Sequence, residues 1–138
     1  MQTRKFFHRM SPDYSELGRL CELVRAFGKE NSFSDKVLFN VVLTIEELVS
    51  NMIKYGTVEG AAHTVEVSLE IGPKSVKIEI EDDGKPFNPL SVLAPDLDCP
   101  AGEREPGGLG IFLVCQFAEA MLYEKRADKN LTVVVKRL

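Results

Sequence analysis

Apolar residues recur at helical spacing in two stretches in the first half of the chain. The first stretch predicts a helix over residues 14–29, with Gly28 near its end as a stop signal. The second predicts a helix that is capped by Ser34, runs to about Tyr55 and ends at Gly56, or about six turns. Its apolar stripe consists of Leu38, Val41, Val42, Ile45, Leu48, Val49 and Met52.

Alternation of apolar and polar residues replaces the helical period over residues 65–71 and 76–81. This pattern predicts an antiparallel hairpin with one buried and one solvated face. A mixed pattern predicts a first strand over residues 3–10. Two further strands are predicted to close the chain, over 119–126 and 131–137. In the last strand we expect Leu131, Val133 and Val135 to face the core.

A segment rich in proline and glycine, residues 84–107, separates the hairpin from a short apolar helix near 109–117. Connections of this length are usually lids, binding loops or disordered segments, and we expect a lid. The element order predicts an α+β fold, a two-layer sandwich in which a mostly antiparallel sheet is covered on one face by helices. A chain of 138 residues is the size of one domain, here residues 1–138.

Composition excludes several classes of function. The formal net charge is -4 and there is no Lys/Arg block, which argues against direct contact with nucleic acid. No apolar run approaches the roughly 20 residues of a membrane span. Cys21, Cys99 and Cys115 are too widely spaced for a disulfide framework or a zinc site. Without a signal-peptide core, the expected location is the cytoplasm.

The polar side of the second helix is the first candidate for chemistry. Asn40, Thr44, Glu47, Asn51 and Lys54 lie along it, and Glu47 and Asn51 are neighbours because they are four residues apart. One interpretation is a solvated face. The other is a carboxylate beside an amide oxygen, which can hold a hard cation and activate a hydroxyl.

Two glycine-containing motifs are the other candidates. The run 81–84, Glu-Asp-Asp-Gly, follows a strand and is either a turn or a carboxylate at the mouth of a pocket, where Gly84 allows close approach of a flat ligand. The run 106–110, Pro-Gly-Gly-Leu-Gly, opens the apolar helix. It is either a hinge or a phosphate-binding helix start, and its spacing is not that of a P-loop or a dinucleotide fingerprint.

In their order and spacing, these three motifs resemble the N, G1 and G2 boxes of the GHKL (Bergerat) ATP-binding fold. The N box would be Glu47-x-x-x-Asn51, the G1 box Asp82-x-Gly84, and the G2 box Gly108-x-Gly110. A free-standing domain of this size is most similar to the anti-sigma factor serine kinases, the RsbW-like family. A histidine kinase would carry a dimerisation helix pair before this domain, and a gyrase-type ATPase would need a transducer domain; we expect neither here.

The resemblance implies ATP and Mg²⁺ as ligands and a role for each motif residue. Asp82 would accept a hydrogen bond from the adenine amino group, Gly84 would give the base room, and Thr132 would reach adenine through a water. Asn51 would ligate Mg²⁺. Glu47 would be the catalytic base. Gly108 and Gly110 would offer backbone N–H groups to the phosphates.

Two positions do not follow the family pattern. Pro86 stands where the G1 box normally has its second glycine, which would stiffen the hinge of the lid because proline fixes φ and has no N–H to donate. Arg104 lies within the lid, where it would either reach the γ-phosphate or remain solvated.

The family also implies partner switching. Such kinases sequester a sigma factor or another target and phosphorylate a serine on a small STAS-domain anti-sigma factor antagonist, and a serine phosphatase of the same pathway reverses the mark. The protein could act as a homodimer. Two alternatives stay open: a catalytically silent ATP-binding interaction module, and the ATPase domain of a larger sensor kinase.

Overall fold

The computed structural model describes residues 4–57, 62–89 and 108–138. Two helices come first after a short strand. Helix α1, Tyr14–Glu30, begins where the Asp13 carboxylate accepts the Glu16 N–H at 2.8 Å. Helix α2, Asp35–Asn51, begins where the Ser34 hydroxyl accepts the Val37 N–H at 3.2 Å, which confirms Ser34 as its cap. Such caps satisfy backbone donors that have no partner within the helix.

The second helix ends earlier than its apolar pattern predicts. The α-helical hydrogen bonding stops at Asn51, and a π-helical turn, Met52–Gly56, follows. The prediction of one helix to Tyr55 is therefore wrong. Apolar spacing cannot distinguish a continuous α-helix from an α-helix that ends in a π-helical turn, because Met52 is buried in the wider turn as well.

Five strands form a sheet in the order β1-β2-β3-β5-β4, and every neighbouring pair is antiparallel. Strands β1, Lys5–Met10, β2, Val65–Ile71, and β3, Ser75–Asp82, form one half. Strands β4, Ala120–Arg126, and β5, Lys129–Arg137, form the other. Helix α3, Gly108–Phe117, precedes β4 in the chain. The predicted α+β class is confirmed.

The core fills the space between α1, α2, α3 and the inner face of the sheet. Its fully buried residues include Leu20, Val24, Ile45, Leu48, Val67, Ile78, Ile80 and Ile111. The outer face carries mostly charged side chains on β2 and β3, which is why the alternation there identified the buried face correctly.

The face predicted for β5 is wrong. Val134 pairs with Ile78 and Thr132 pairs with Ile80, so these two residues of β5 share the inner face. Leu131, Val133 and Val135 instead lie opposite Glu81, Glu79 and Lys77 on the outer face. Alternation could not identify the face, because apolar residues occupy both sides of this strand.

None of the helices in the described part of the chain has the length and apolar character that crossing a bilayer demands.

Candidate functional site

Asp82 is the last residue of the central strand β3 and is buried, although it carries a carboxylate. Its Oδ2 accepts the Gly84 N–H at 3.0 Å and lies 3.1 Å from His63 Nε2. A buried carboxylate is tolerated where hydrogen bonds compensate its lost hydration, and the Gly84 N–H supplies one of them. Asp82 is therefore part of the molecule's interior and not simply part of an exposed turn.

Gly84 is fixed from three sides. Its N–H donates to Asp82, and its carbonyl accepts from Asn130 Nδ2 at 3.0 Å. A Cβ at this position would overlap the His63 ring and the carbonyl oxygen of Gly56. The absence of a side chain at Gly84 is thus required by contacts inside the protein.

Two residues of β5 complete this end of the site. We call it the base end, after the nucleobase that the resemblance implies here. Asn130 lies opposite Asp82, and its Oδ1 accepts the Tyr123 hydroxyl at 3.0 Å. Thr132 is 1% exposed, and its buried Oγ1 has no hydrogen-bond partner among the described residues. A buried hydroxyl of this kind is suited to a bound water or a ligand atom.

The π-helical turn brings the end of α2 against the base end. The Gly56 carbonyl accepts the Lys85 N–H at 2.7 Å, and the Tyr55 and Phe87 rings stack with centroids 4.7 Å apart. Pro86 lies between these two contacts. Wide turns of this type are frequent at functional sites, and here the turn joins two motifs that are about 30 residues apart.

Glu47 lies against the first turn of α3. We call this the phosphate end of the site, because the resemblance implies phosphate binding at Gly108 and Gly110. A Cβ at Gly110 would overlap the Glu47 carboxylate, so glycine at residue 110 lets this carboxylate lie directly against the α3 backbone. Burial raises the pKa of Glu47, and the nearby Lys54 partly opposes this shift. A carboxylate that is harder to keep ionised is also a stronger base.

Glu46 faces a different neighbour. Its carboxylate lies 3.9 Å from the Arg25 guanidinium of α1, and both side chains are about half exposed. The 100° rotation between successive helical residues thus sends Glu46 to α1 and Glu47 to α3.

The polar side of α2 is not a solvated face. Asn40, Thr44 and Asn51 are each less than 5% exposed. Thr44 donates to the Asn40 carbonyl at 2.7 Å, whereas Asn51 Nδ2 is buried without a partner among the described residues. The Asn51 Nδ2 is therefore a donor left uncommitted by these residues, next to Glu47 along the helix.

The structure thus groups most of the predicted residues into two sets. Asp82, Gly84 and Thr132 belong to the base end, and Glu47 and Gly110 meet at the phosphate end, where α3 begins at Gly108. Most of the predicted lid, including Arg104, lies outside the described residues.

Sequence reasoning missed His63 and Asn130. Both could have been found from the strand pairing, because Val65 and Asn130 each lie opposite Asp82. The residues just before β2 and at the start of β5 must then surround the end of β3.

The donors present fit Mg-ATP but not an all-protein metal cage. The described residues contain no group of three or more His, Cys, Asp or Glu side chains that could hold a metal ion. A Mg²⁺ ion at this site would rely on the side-chain oxygen of Asn51 together with phosphate oxygens and waters, the coordination that Mg²⁺ usually adopts at nucleotides. Asp82 and Thr132 supply acceptors suited to an amino group and a water.

Comparison with known proteins gives two matches. Residues 10–136 match the histidine kinase-like ATPase domain family. The chain is also similar to the serine/threonine-protein kinase BtrW of Bordetella bronchiseptica, with 26% identity over 98 residues, which cover 71% of this chain and 69% of that kinase.

Proposed function

Because this chain belongs to the histidine kinase-like ATPase domain family, we propose that it is a Mg-ATP-dependent protein-serine/threonine kinase of the partner-switching type. Family membership confirms the resemblance that the three motifs carry and implies binding of ATP. The similarity to a serine/threonine-protein kinase supports kinase-type activity. The contact between Glu47 and Gly110, with Asn51 one turn away on α2, is the observation that carries the proposal.

The base end selects adenine in this proposal. Asp82 accepts a hydrogen bond from the adenine amino group, and Thr132 reaches the ring through a water. Burial strengthens both interactions, because the surrounding protein excludes competing solvent. Gly84 contributes by holding the Asp82 carboxylate through its N–H.

The phosphate end carries out the transfer. Backbone N–H groups of Gly108 and Gly110, at the positive end of the α3 dipole, bind phosphate oxygens. Asn51 holds Mg²⁺, which neutralises phosphate charge. Glu47 takes the proton from the attacking serine hydroxyl as the serine oxygen bonds to the γ-phosphorus, and the bond to ADP breaks. The remaining catalysis is positioning and charge stabilisation.

The proposed acceptor is a serine on a STAS-domain antagonist. In this scheme the unmodified antagonist and a sigma factor or another target compete for the kinase, and a serine phosphatase resets the antagonist. The support is the family resemblance of the three motifs together with the similarity to a protein kinase that acts on serine or threonine.

Phosphotransfer to a cognate partner tests the proposal. STAS proteins of the same organism are first screened for binding to the purified chain, and those that bind are incubated with Mg-ATP. We expect phosphate on one serine of the partner, abolished by EDTA and by mutation of that serine to alanine. A partner that binds ATP-loaded protein tightly yet is never phosphorylated would favour the silent interaction module.

A further inference from the structure

His63 is a buried histidine at the base end to which the three motifs assign no role. It lies two residues before β2, and its side chain is 5% exposed. Its Nε2 lies 3.1 Å from Asp82 Oδ2, and the Asp82 side chain is also buried, at 3% exposed. The imidazole and the carboxylate are therefore shielded from water together.

The contacts of the ring favour one tautomer. A carboxylate oxygen at 3.1 Å requires the hydrogen to be on Nε2. Nδ1 is buried and has no partner among the described residues, so a second hydrogen there would leave a buried donor unsatisfied. The Asp83 carboxylate, the other charged group nearby, is 3.9 Å from Nε2 and already accepts the Thr64 N–H. Nε2 of His63 is thus the atom that donates to Asp82.

Donation from His63 occupies one oxygen of Asp82. Oδ2 already accepts the Gly84 N–H at 3.0 Å, and a carboxylate oxygen has two lone pairs. With both used, Oδ2 offers nothing further to a ligand, and Oδ1 is the oxygen that remains.

The position of the ring is also sterically defined. It occupies the space where a Cβ of Gly84 would be, and a Cβ on Gly56 would lie 3.8 Å from the ring. The missing side chain of Gly84 leaves the space for the imidazole, and ordinary packing against Gly56 closes it on another side, so the ring has little freedom to rotate.

We propose that His63 is a positioning residue that sets the base selectivity of the site. By donating to Oδ2 it holds Asp82 in one rotamer, with Oδ1 as the acceptor presented to the ligand. A 6-amino group donates to this oxygen, whereas the 6-oxo group of guanine would place an acceptor against it. This inference rests on the proposed binding of adenine nucleotide at Asp82.

The test compares ADP and GDP binding, each with Mg²⁺, by calorimetry in three variants. His63→Leu removes the donor, His63→Gln keeps an N–H donor at similar reach, and His8→Leu is the control, since it changes the other histidine of the chain. We expect the ADP-to-GDP affinity ratio to fall about tenfold or more in His63→Leu, because a hydrogen bond to a charged group is lost. The ratio should stay within about threefold of wild type in the other two.

An unchanged ratio in folded His63→Leu would overturn the proposal. An equal fall of the ADP-to-GDP affinity ratio in His63→Leu and His63→Gln would also overturn it. The packing of the ring, and not its hydrogen bond to Asp82, would then set the selectivity. Wild-type protein that binds neither nucleotide would instead refute the proposed function, and the selectivity role with it.

A second measurement does not depend on whether the variants fold. Two-bond ¹H–¹⁵N correlations distinguish the histidine tautomers in wild-type protein, and with two histidines in the chain, His8→Leu assigns the signals. We expect the Nε2–H tautomer for His63 with and without ADP. The Nδ1–H tautomer in either state would refute donation to Asp82.

Discussion

Replacement of Glu47 by glutamine removes the proposed base while keeping the shape of the side chain. General-base catalysis contributes about 10²–10⁴-fold, and at 1.36 kcal/mol per tenfold this corresponds to about 3–5.5 kcal/mol of transition-state stabilisation. We expect the rate of phosphotransfer to fall by that factor. ADP affinity should stay within a few-fold, because glutamine keeps the shape of the side chain that lies against Gly110.

Glu46→Gln is the matched control on the same helix. It makes the same chemical change one residue earlier, on the side that faces Arg25 at 3.9 Å. A half-exposed ion pair contributes at most about 1 kcal/mol to stability, so this variant should fold and keep most of its activity.

Single-turnover phosphotransfer to the cognate STAS partner, measured across pH, is the assay. Burial raises the pKa of Glu47, and the base must be ionised to accept a proton. The wild-type rate should therefore fall as pH is lowered, at a higher pH than for an ordinary glutamate, and the glutamine variant should lack this dependence. A near-normal rate in Glu47→Gln, or an inactive Glu46→Gln variant, would refute the assignment of Glu47 as the catalytic base.

Four further substitutions probe the base end and the fold. Asp82→Asn should weaken ADP binding by roughly 10–150-fold in calorimetry, because a charge-assisted hydrogen bond is worth about 1.5–3 kcal/mol. Gly84→Ala should lower the free energy of unfolding in urea by about 1–3 kcal/mol through overpacking, whereas Gly18→Ala, with open space around it in α1, should raise it by about 0.5–1 kcal/mol. Tyr123→Phe should cost about 1–3 kcal/mol in the same urea assay, because the buried Asn130 loses its donor.

The fold was predictable where only one face of an element is apolar. The hairpin alternates strictly between apolar and charged residues, so its buried face follows directly. Strand β5 carries Leu131, Val133 and Val135 on one side and Val134 on the other, so only its pairing with β3 determines the face. Tertiary packing makes that choice, and the sequence pattern does not contain it.

The site was predictable where chemistry depends on spacing along one element. Glu47 and Asn51 are four residues apart on a helix, and their grouping needs no tertiary information. His63 is different, because it reaches Asp82 from a segment 19 residues away. The π-helical turn was also hidden, since a change from an i−4 to an i−5 hydrogen bond leaves the apolar spacing nearly intact.

The burial of Glu47 has a consequence for how such a domain evolves. Because its pKa is raised, the folded chain pays for an ionised carboxylate at neutral pH, and a neutral replacement removes that penalty. Substitutions of Glu47 that raise stability therefore run against catalysis. Under the proposed mechanism, a lineage released from selection for phosphotransfer is free to replace this glutamate, whereas a lineage that keeps glutamate here is under continuing selection for the reaction.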